Sequence, residues 1–422
     1  MKHHKPIISF WLGLAAFGAV ARADLVTDWN SVALGAIKAD RTSPPEAARY
    51  LAILHVSIFD ACNGIGQRYE PYFVTGKPPG VASKDAAIAA AARRVLVSIY
   101  PGQQAVFDSL YQLNLEKIRN GPGKRFGIAW GETVAGAILE LRRHDGTESD
   151  VSYLMEDGPG NWIPTPPAFA PPLLPHWSFV RPFAMRDGAQ FRPPPPPDLS
   201  SAEWAADFNL TRELGRVDSA SRSAEQTLVA RFWADGGGTA TPPGHWNVIA
   251  RDVARQRGNT LDQNARLFAL LNIAEADAGV VAWDCKYAFN LWRPVTAIQN
   301  ADNDDNPDTV SEPTWTPLLP TPPFPEYTSG HSTFSGAAAA VLAAFFGSDH
   351  LAFTTESEDL PGVSRTFRSF SEAAGEAGMS RIYGGIHFMS ANRNGLFSGA
   401  ALGSYVAQHF LRPKPGRSHR GH

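Results

Sequence analysis

The chain has 422 residues, of which 44% are hydrophobic and 19% are charged. This length and apolar content are sufficient for a sizeable core, in one large domain or in two or three smaller ones. The formal net charge of −3 argues against the broad basic surface that binds nucleic acids or anionic membranes. Any anion site must therefore arise from local clustering of cations.

The first residues have the composition of an export signal. A basic start precedes an apolar core from Ile7 to Val20, and Ala21–Ala23 supplies a small-x-small cleavage pattern before Asp24. The apolar core is short for a membrane anchor, so we expect residues 1–23 to be a signal peptide. No later stretch reaches the roughly 18 uninterrupted apolar residues that a spanning helix needs. The mature protein is therefore predicted to be exported, periplasmic or secreted, without a membrane span.

Apolar residues then recur at three- and four-residue spacing, which predicts a run of amphipathic helices. His55 lies among apolar helical neighbours, and this favours a core histidine over a ligand. Cys62 and Cys285 lack metal-ligand spacing, and the sequence leaves open whether they form a disulfide or remain separate thiols. The helices predicted in this part of the chain are Trp29–Lys38, Ala47–Cys62, Ala86–Ser98, Gln103–Arg119 and Phe126–His144.

The segment Gly146–Ser200 is rich in proline and aromatic residues and shows no sustained periodicity. This composition predicts an extended connection with polyproline character. Two interpretations of its aromatic residues are open. Either Trp162, Phe169, Trp177 and Phe179 shape the mouth of a substrate site, or the segment is a strap packed across the helices.

Helical periodicity returns in the C-terminal half, and no stretch of β-alternation is visible, so the predicted fold is all-α with bundle-like packing. We expect the longest helix to break or bend near Gly279. The predicted helices are Ala202–Leu214, Ala224–Trp233, Trp246–Arg257, Asp262–Trp292, Ser329–Phe346, Phe367–Tyr383 and Asn394–Leu411.

A second irregular stretch, Ala301–Thr328, begins with acidic residues. Asp302, Asp304 and Asn306 resemble the start of a calcium loop, but Pro307 stands where such a loop needs glycine. We therefore expect a solvated turn here and no calcium site.

Three separated segments carry the residues of an anion site. Lys286 and Arg293 lie seven residues apart near the end of a predicted helix, and this spacing places both cations on one helix face. That helix is apolar and aromatic, and buried cations need an anionic partner. Asp284 lies two positions from Lys286 and is expected to point elsewhere.

The second segment is Ser329-Gly330-His331 at the start of an apolar helix. The first turn of a helix has unpaired N–H groups and positive potential, and a glycine lets an anion approach the backbone. Because serine is also a common helix N-cap, this segment alone does not decide between capping and anion binding.

The third segment contains Arg381 and His387, separated by two glycines that indicate a helix break. Each residue alone is compatible with an ordinary role, as a surface charge or a core histidine. Together with Lys286, Arg293 and His331 they form a set suited to a tetrahedral oxyanion, since arginine forks and a lysine charge are usual phosphate ligands.

The three segments together resemble the signature of the vanadium-dependent haloperoxidase and type 2 phosphatidic acid phosphatase superfamily. The signature elements are Lys286-x6-Arg293-Pro294, Ser329-Gly330-His331 and Ser380-Arg381-x5-His387. The opening WN…AARYLAILHVSIFDACN also resembles secreted bacterial members of the haloperoxidase branch. The resemblance implies two packed four-helix bundles with long proline-rich connections and the anion site in the C-terminal bundle. The implied organisation is 1–23 signal peptide, 24–200 N-terminal bundle with its connection, 201–411 C-terminal bundle and 412–422 basic disordered tail.

The resemblance also implies a role for each matching residue. His387 is the expected axial ligand of vanadium, or in a phosphatase the nucleophile, and His331 is the expected general acid–base. Trp283 and Phe324 match aromatic residues on the halide side of fungal chloroperoxidases, which tilts the expectation toward the chloroperoxidase type. The residues expected to bind the equatorial oxygens of vanadate, or of phosphate in the same site, are Lys286, Arg293, Ser329, Gly330 and Arg381.

Two departures from the superfamily pattern bear on function. Thr328 stands where the family usually has proline, with little expected effect. Ala391 stands where the superfamily commonly has the aspartate that orients the nucleophilic histidine. Its absence weakens the phosphatase interpretation, and Asn392 is the residue that we expect to replace this aspartate in part.

Three functions are therefore carried forward. The first is an exported vanadate-dependent haloperoxidase that oxidises halide with hydrogen peroxide. The second is a soluble acid phosphatase that acts on a small phosphoester through a phosphohistidine. The third is a non-catalytic oxyanion-binding protein.

Overall fold

The structure, a computed structural model, describes residues 24–156 and 158–415. The predicted signal peptide and the end of the predicted tail lie outside the described residues. Within the described ranges the chain forms thirteen α-helices and two short strands. The helices are α1 Leu25–Asp40, α2 Pro44–Gly66, α3 Lys84–Ile99, α4 Gln104–Glu116, α5 Pro122–Leu141, α6 Ala202–Gly215, α7 Ala224–Phe232, α8 Thr241–Gln256, α9 Leu261–Phe289, α10 Pro294–Gln299, α11 Gly330–Phe346, α12 Phe370–Tyr383 and α13 Met389–His409, and the strands are β1 Phe353–Glu356 and β2 Ser364–Phe367.

Helix α9 joins the two halves of the molecule. It packs against α2 of the N-terminal half and against α11 and α13 of the C-terminal half. Most of its residues are buried, which explains why its sequence is apolar without a clear polar face. Of the predicted break or bend near Gly279, a break is excluded, because the helix is continuous from Leu261 to Phe289.

The N-terminal half confirms the helical prediction and places His55 in the core. The His55 ring is fully buried, stacks on Phe268 and lies 2.9 Å from Asn30 Oδ1 through Nε2. Cys62 and Cys285 are both buried free thiols. None of the described helices is both long enough and apolar enough to cross a membrane.

The connection between α5 and α6 is irregular, as predicted, and its two buried tryptophans fix it to the helices. Trp162 is fully buried, and its backbone N–H donates to Asn290 O over 2.8 Å. Trp177 is also buried, whereas Phe169 and Phe179 are largely exposed. The segment therefore packs mainly as a strap. It also reaches α9, where Leu173 O accepts from the side chains of Trp283 and Tyr287.

The all-α prediction is confirmed, and the short β1–β2 hairpin is an addition that the sequence analysis did not identify. Its strands pair antiparallel, with Phe353 opposite Phe367. Only four residues form each strand, which is too short for alternation to stand out in the sequence. After β1, Glu358 accepts from Ala240 N and Ser357 donates to Phe232 O, so the hairpin supports the α7–α8 loop.

The prediction of a solvated turn around residue 304 is wrong. Asp304 is buried, and its carboxylate accepts from Trp204 Nε1 and from the hydroxyl of Thr309. Asn306 is buried as well and donates to Leu199 O and Ser201 O. Asp304 is thus an internal hydrogen-bond acceptor, whereas Asp302 is exposed as expected for a solvated turn. The described residues contain no metal-binding cluster.

The predicted disordered tail is ordered at its start. Arg412 pairs with Glu70 through two contacts of 3.0 Å, and Lys414 N donates to Arg68 O over 3.0 Å. The segment after α13 is therefore anchored to the N-terminal half as far as these contacts reach.

Glycines allow α11 and α13 to pack with their backbones in close contact. A Cβ added at Gly399 would lie 2.1 Å from Thr333 O, and one added at Gly403 would lie 2.3 Å from Ala337 O. Larger residues at these positions would force the helices apart. The close packing also places the start of α11 next to α13, where Ser329 N donates to Ala391 O.

We expect Gly399→Ala to lower the free energy of unfolding by about 1–3 kcal/mol, because the added methyl group overpacks the α11–α13 contact. Gly375→Ala is the matched control on α12, where an added Cβ meets no atom within 4 Å. This control should raise the free energy of unfolding by about 0.5–1 kcal/mol through helix propensity. Urea denaturation measures both, and equal effects of the two substitutions would contradict the packing argument.

Candidate active site

The three predicted segments meet at the N-terminus of α11. Ser329 is the N-cap of this helix, and its Oγ accepts from Ser332 N over 3.3 Å. Ser332 Oγ also lies 2.9 Å from Ser329 Oγ. Ser329 thus caps the helix, and its hydroxyl group lies at the start of α11.

Arg293 reaches the site by a different route from the predicted one. Helix α9 ends at Phe289, Asn290 adopts a left-handed conformation with φ 47°, and Arg293 is extended at the start of α10. The prediction that Lys286 and Arg293 share one helix face is therefore wrong. Their convergence depends on the turn after α9, in which Trp292 N donates to Gly160 O of the strap.

Lys286 is fully buried, and its ammonium group is surrounded by backbone oxygens. Nζ donates to Pro325 O at 3.1 Å, to Glu326 O at 3.0 Å and to Thr328 O. Burial, with Arg293 as a second cause, lowers the pKa of Lys286 well below its ordinary value. All three donors are used in this conformation, so Lys286 acts on an anion first through its charge.

Arg293 is fully buried and keeps one donor atom without a partner. Its Nε donates to Phe324 O at 2.8 Å and its Nη1 to Ile386 O at 2.7 Å. The Nη1 atom also lies 3.2 Å from His387 Nε2. Nη2 is buried and has no hydrogen-bond partner, and an unpaired buried guanidinium donor is costly unless a ligand accepts from it.

The contacts of His387 define its tautomer. An arginine N–H can only donate, so His387 Nε2 faces Arg293 as an unprotonated acceptor. On the other side of the ring, Nδ1 lies 2.8 Å from Glu326 Oε1, which can accept the proton that Nδ1 carries. His387 therefore presents a lone pair at Nε2, the form that coordinates a metal or attacks an electrophile.

One electrostatic environment links all the predicted charged residues. The pKa of His387 is held well below its ordinary value, first by burial and then by Arg293, Lys286, His331 and Arg381. Four cationic or imidazole groups thus act on the same ring. The structure brings the five charged or titratable residues predicted for the site into one buried cluster.

His331 lies in the first turn of α11, on the side of the α7–α8 loop. Burial and Arg381 lower the pKa of His331 to about 3, while Asp235 and the backbone oxygens of Trp233 and Ala234 oppose this shift. Nε2 is buried and has no hydrogen-bond partner. The ring is neutral near pH 7, and Nε2 is free to accept a proton.

Arg381 is held by the same loop. Its Nη2 donates to Ala230 O and Trp233 O, and its Nε donates to Ser380 Oγ at 2.8 Å. Burial lowers its pKa to about 10, and Asp235 is the largest opposing influence. The guanidinium therefore remains charged near neutral pH.

Trp283 and Phe324 form an aromatic wall beside the cations. Their ring centroids lie 4.9 Å apart, and Lys286 Nζ and Arg293 Cζ lie 4.9 and 4.7 Å from the Phe324 centroid. A Cβ added at Gly330 would first meet Trp283, at 3.8 Å. The start of α11 and this wall therefore enclose a common space.

The expectation that Asn392 replaces the missing aspartate is wrong. Asn392 Oδ1 lies 2.9 Å from Ser332 Oγ, and its amide nitrogen faces the sulfur atoms of Met379 and Met389. Neither group reaches the His387 ring. The carboxylate that contacts this ring belongs to Glu326, which the sequence interpretation missed.

One sequence signal would have pointed to Glu326. It is the one charged residue between Pro313 and His331, a segment of proline, aromatic and small polar residues that leads into the helix. A carboxylate in such a segment has to be paired when it is buried. Asp284, in contrast, points away as predicted and pairs with Arg192 at 2.6 and 2.8 Å.

The site fits a tetrahedral oxyanion. Arg293 Nη2 is an unpaired buried donor, the first turn of α11 adds backbone N–H groups, and Ser329 adds a hydroxyl. Two imidazoles lie in the same cluster: His331 has an unpartnered Nε2, and His387 Nε2 accepts from Arg293. The fold and site therefore define an all-α oxyanion-binding protein equipped for nucleophilic or acid–base chemistry.

Comparison with known proteins identifies the family. A family model described as "VCPO second helical-bundle domain" matches residues 266–414. The solved structure of a bacterial vanadium-dependent iodoperoxidase is similar to this chain with a TM-score of 0.82 and 30% identity, over 92% of this chain and 97% of that chain. The chain belongs to the vanadium-dependent haloperoxidase family.

Two further relatives agree with this assignment. The vanadium chloroperoxidase of Curvularia inaequalis is 27% identical over 85% of this chain and 78% of its own length. A holo-type bacterial vanadium-dependent chloroperoxidase shares the fold with a TM-score of 0.68 at 18% identity, covering 86% of this chain and 92% of that chain.

We expect Arg293→Gln to weaken the binding of inorganic phosphate roughly ten- to a hundredfold, because hydrogen bonds to charged groups contribute about 1.5–3 kcal/mol. Isothermal titration calorimetry measures the dissociation constant. Arg192→Gln is the matched control, since Arg192 is a partly exposed arginine paired with Asp284 on the other side of α9. An equal loss in both variants would contradict a specific role of Arg293.

Proposed function

We propose that the protein is a vanadate-dependent haloperoxidase that oxidises halide with hydrogen peroxide. The observation that carries this proposal is the state of His387. Its Nε2 lone pair lies within a buried cluster of cations, beside an arginine donor that has no partner. A neutral imidazole nitrogen and several positive groups match the needs of a multiply charged oxyanion of a metal. The family assignment supports the same activity.

In this proposal each residue of the cluster has a defined task. His387 would hold vanadium through Nε2, and vanadate would supply the Lewis-acid centre that activates peroxide. The positive charge of the surrounding side chains would stabilise the anion and polarise peroxide, and Lys286 Nζ lies 4.9 Å from the Phe324 ring of the aromatic wall. The groups that hold the vanadate oxygens are Lys286, Arg293, Ser329, Gly330 and Arg381.

His331 accepts the proton of peroxide and later returns it. Its neutral ring has a free Nε2 that accepts this proton, and a nearby bound anion stabilises the resulting imidazolium. The ring can then return the proton to the leaving oxygen.

Trp283 and Phe324 form the halide side of the site. Their wall lies against Lys286 and Arg293, so a halide held there would meet positive charge across an apolar surface. We infer a chloroperoxidase-type lining from these two residues. The relatives include proteins named as chloroperoxidases and as an iodoperoxidase, so the halide assays below compare all three halides.

We also propose that the protein is exported. We propose further that the mature chain consists of two helical bundles. The basic and apolar pattern of residues 1–23 supports cleavage before Asp24. The proposed units are 24–200 and 201–411, with the anion site in the second. Helix α9 belongs to the second unit and supplies most of the contact with the first.

We expect the protein reconstituted with orthovanadate to halogenate monochlorodimedone when it is given peroxide and iodide, bromide or chloride. His387→Ala should lose both vanadate binding and activity, because the metal ligand is removed. His331→Ala should keep vanadate binding and lose about 10²–10⁴-fold in rate, the usual contribution of a general acid–base.

His409→Ala is the matched control, since His409 is an exposed histidine on α13. It should leave activity unchanged. Absence of halogenation by the wild-type protein with all three halides would overturn the proposed function.

A second function, acid phosphatase activity, is favoured by one specific observation. The aspartate that the superfamily uses to orient its nucleophilic histidine is missing, but Glu326 Oε1 contacts His387 Nδ1. His387 Nε2 can then attack phosphorus, the ester P–O bond breaks, and water hydrolyses the phosphohistidine. We expect vanadate-free protein to hydrolyse p-nitrophenyl phosphate and vanadate to inhibit this activity while it creates peroxidase activity.

Trapping of radiolabelled phosphate on His387 checks the phosphatase function. Full phosphatase activity in His387→Ala would exclude it. If phosphate or vanadate raises the melting temperature and no substrate of either kind is turned over, the protein is a non-catalytic oxyanion binder.

A further inference from the structure

Glu326 is a fully buried acid that is not part of the superfamily signature and has no role in the haloperoxidase proposal above. It lies in the segment between the α10 region and α11, five residues before His331. Its Oε1 atom lies 2.8 Å from His387 Nδ1 and accepts from Phe388 N at 2.8 Å. The same oxygen thus contacts both the His387 ring and the backbone beside it.

We propose that Glu326 is the positioning residue of His387 and takes over, from a different segment of the chain, the task of the carboxylate missing at position 391. This inference rests on the proposed function, because positioning serves the bond that Nε2 makes to vanadium. Position 391 lies one turn along α13, whereas Glu326 approaches the ring from the loop before α11.

The carboxylate is fixed at its own backbone as well. Glu326 N donates to Leu291 O at 2.8 Å, and Glu326 O accepts from Lys286 Nζ at 3.0 Å. The residue therefore links the turn after α9, the cation Lys286 and the imidazole His387. A rigidly held acceptor can fix both the orientation and the tautomer of the ring.

Other polar groups near His387 do not perform this task. Asp207 accepts from Ser390 N at 2.6 Å, and Thr211 donates to His387 O at 3.2 Å. Both groups bind the backbone of the turn and not the ring. Among the hydrogen bonds of the described residues, Glu326 alone reaches Nδ1.

The direction in which Glu326→Gln changes anion affinity distinguishes a positioning role from a purely electrostatic one. A negative side chain beside an anion site repels the anion, so its removal by Glu326→Gln should tighten anion binding on Coulombic grounds alone. A positioning role predicts the opposite for vanadate, because loss of an outer carboxylate makes the imidazole a weaker ligand. Bound inorganic phosphate makes no such bond to His387 Nε2, so its affinity depends only on the charge of residue 326.

The test compares vanadate and phosphate affinities by equilibrium dialysis of wild-type protein and Glu326→Gln. We expect the dissociation constant for vanadate to rise about 10- to 100-fold, the usual cost of losing such a partner, while that for phosphate stays equal or falls. Asp207→Asn is the matched control, because it removes a buried carboxylate of α6 that binds the backbone after His387 and does not contact the ring. Tighter or unchanged vanadate binding by Glu326→Gln would overturn the proposal.

A second readout does not depend on vanadate. Nitrogen-15 spectra of the ligand-free wild-type protein should show His387 protonated at Nδ1. Glu326→Gln keeps an oxygen that can accept and should retain this tautomer, whereas Glu326→Ala should lose it. A wild-type ring protonated at Nε2, or an unchanged tautomer in Glu326→Ala, overturns the positioning role.

These two readouts separate the failure of the inference from the failure of the proposed function. Wild-type protein that binds phosphate and not vanadate would refute the haloperoxidase function, and the nitrogen-15 spectra would then decide the role of Glu326 alone. Wild-type protein that halogenates, together with Glu326→Gln that binds vanadate normally, would refute only the inference.

Discussion

The burial of three cations within one helical core is the constraint on which this structure depends. Lys286, Arg293 and Arg381 are all at most 1% exposed. Buried charges need compensation, and Glu326 and Asp235 are the carboxylates that most oppose their pKa shifts. The positive charge that these carboxylates do not neutralise is stabilised by backbone carbonyl groups and can bind an anion. A ligand that supplies negative oxygens therefore completes the core as well as the site.

The need for carbonyl groups explains why irregular segments surround the site. Within a helix most carbonyl oxygens already accept intrahelical bonds, so acceptors for a buried cation come from loops and helix ends. Lys286 uses the proline-rich loop before α11, and Arg293 uses that loop and the turn before α13. Arg381 uses the end of α7. The prolines thus keep a segment non-helical where its oxygens are required.

The sequence predicted the helices, the N-cap of α11 and the convergence of the charged residues, because these depend on periodicity and on short motifs. It failed where tertiary contacts decide. Helical spacing suggested a shared face for Lys286 and Arg293, yet pairing of the turn after α9 with the strap ends the helix early. Asp304 appeared solvated because its partners Trp204 and Thr309 could not be seen from local composition. Glu326 was missed for the same reason, since its partner lies 61 residues away.

The two histidines of the site have similar surroundings, yet the proposed function gives them different chemical roles. Burial is the largest cause of the lowered pKa in both rings. His387 Nδ1 lies 2.8 Å from the Glu326 carboxylate, whereas the hydrogen bonds of the described residues give the His331 ring no carboxylate partner. A carboxylate partner raises the electron density at Nε2 and favours a lasting bond to an electrophilic centre, whereas a ring without one is a weaker base that releases its proton easily. This difference in partner, and not burial, supports the proposed roles of His387 as ligand and of His331 in proton exchange.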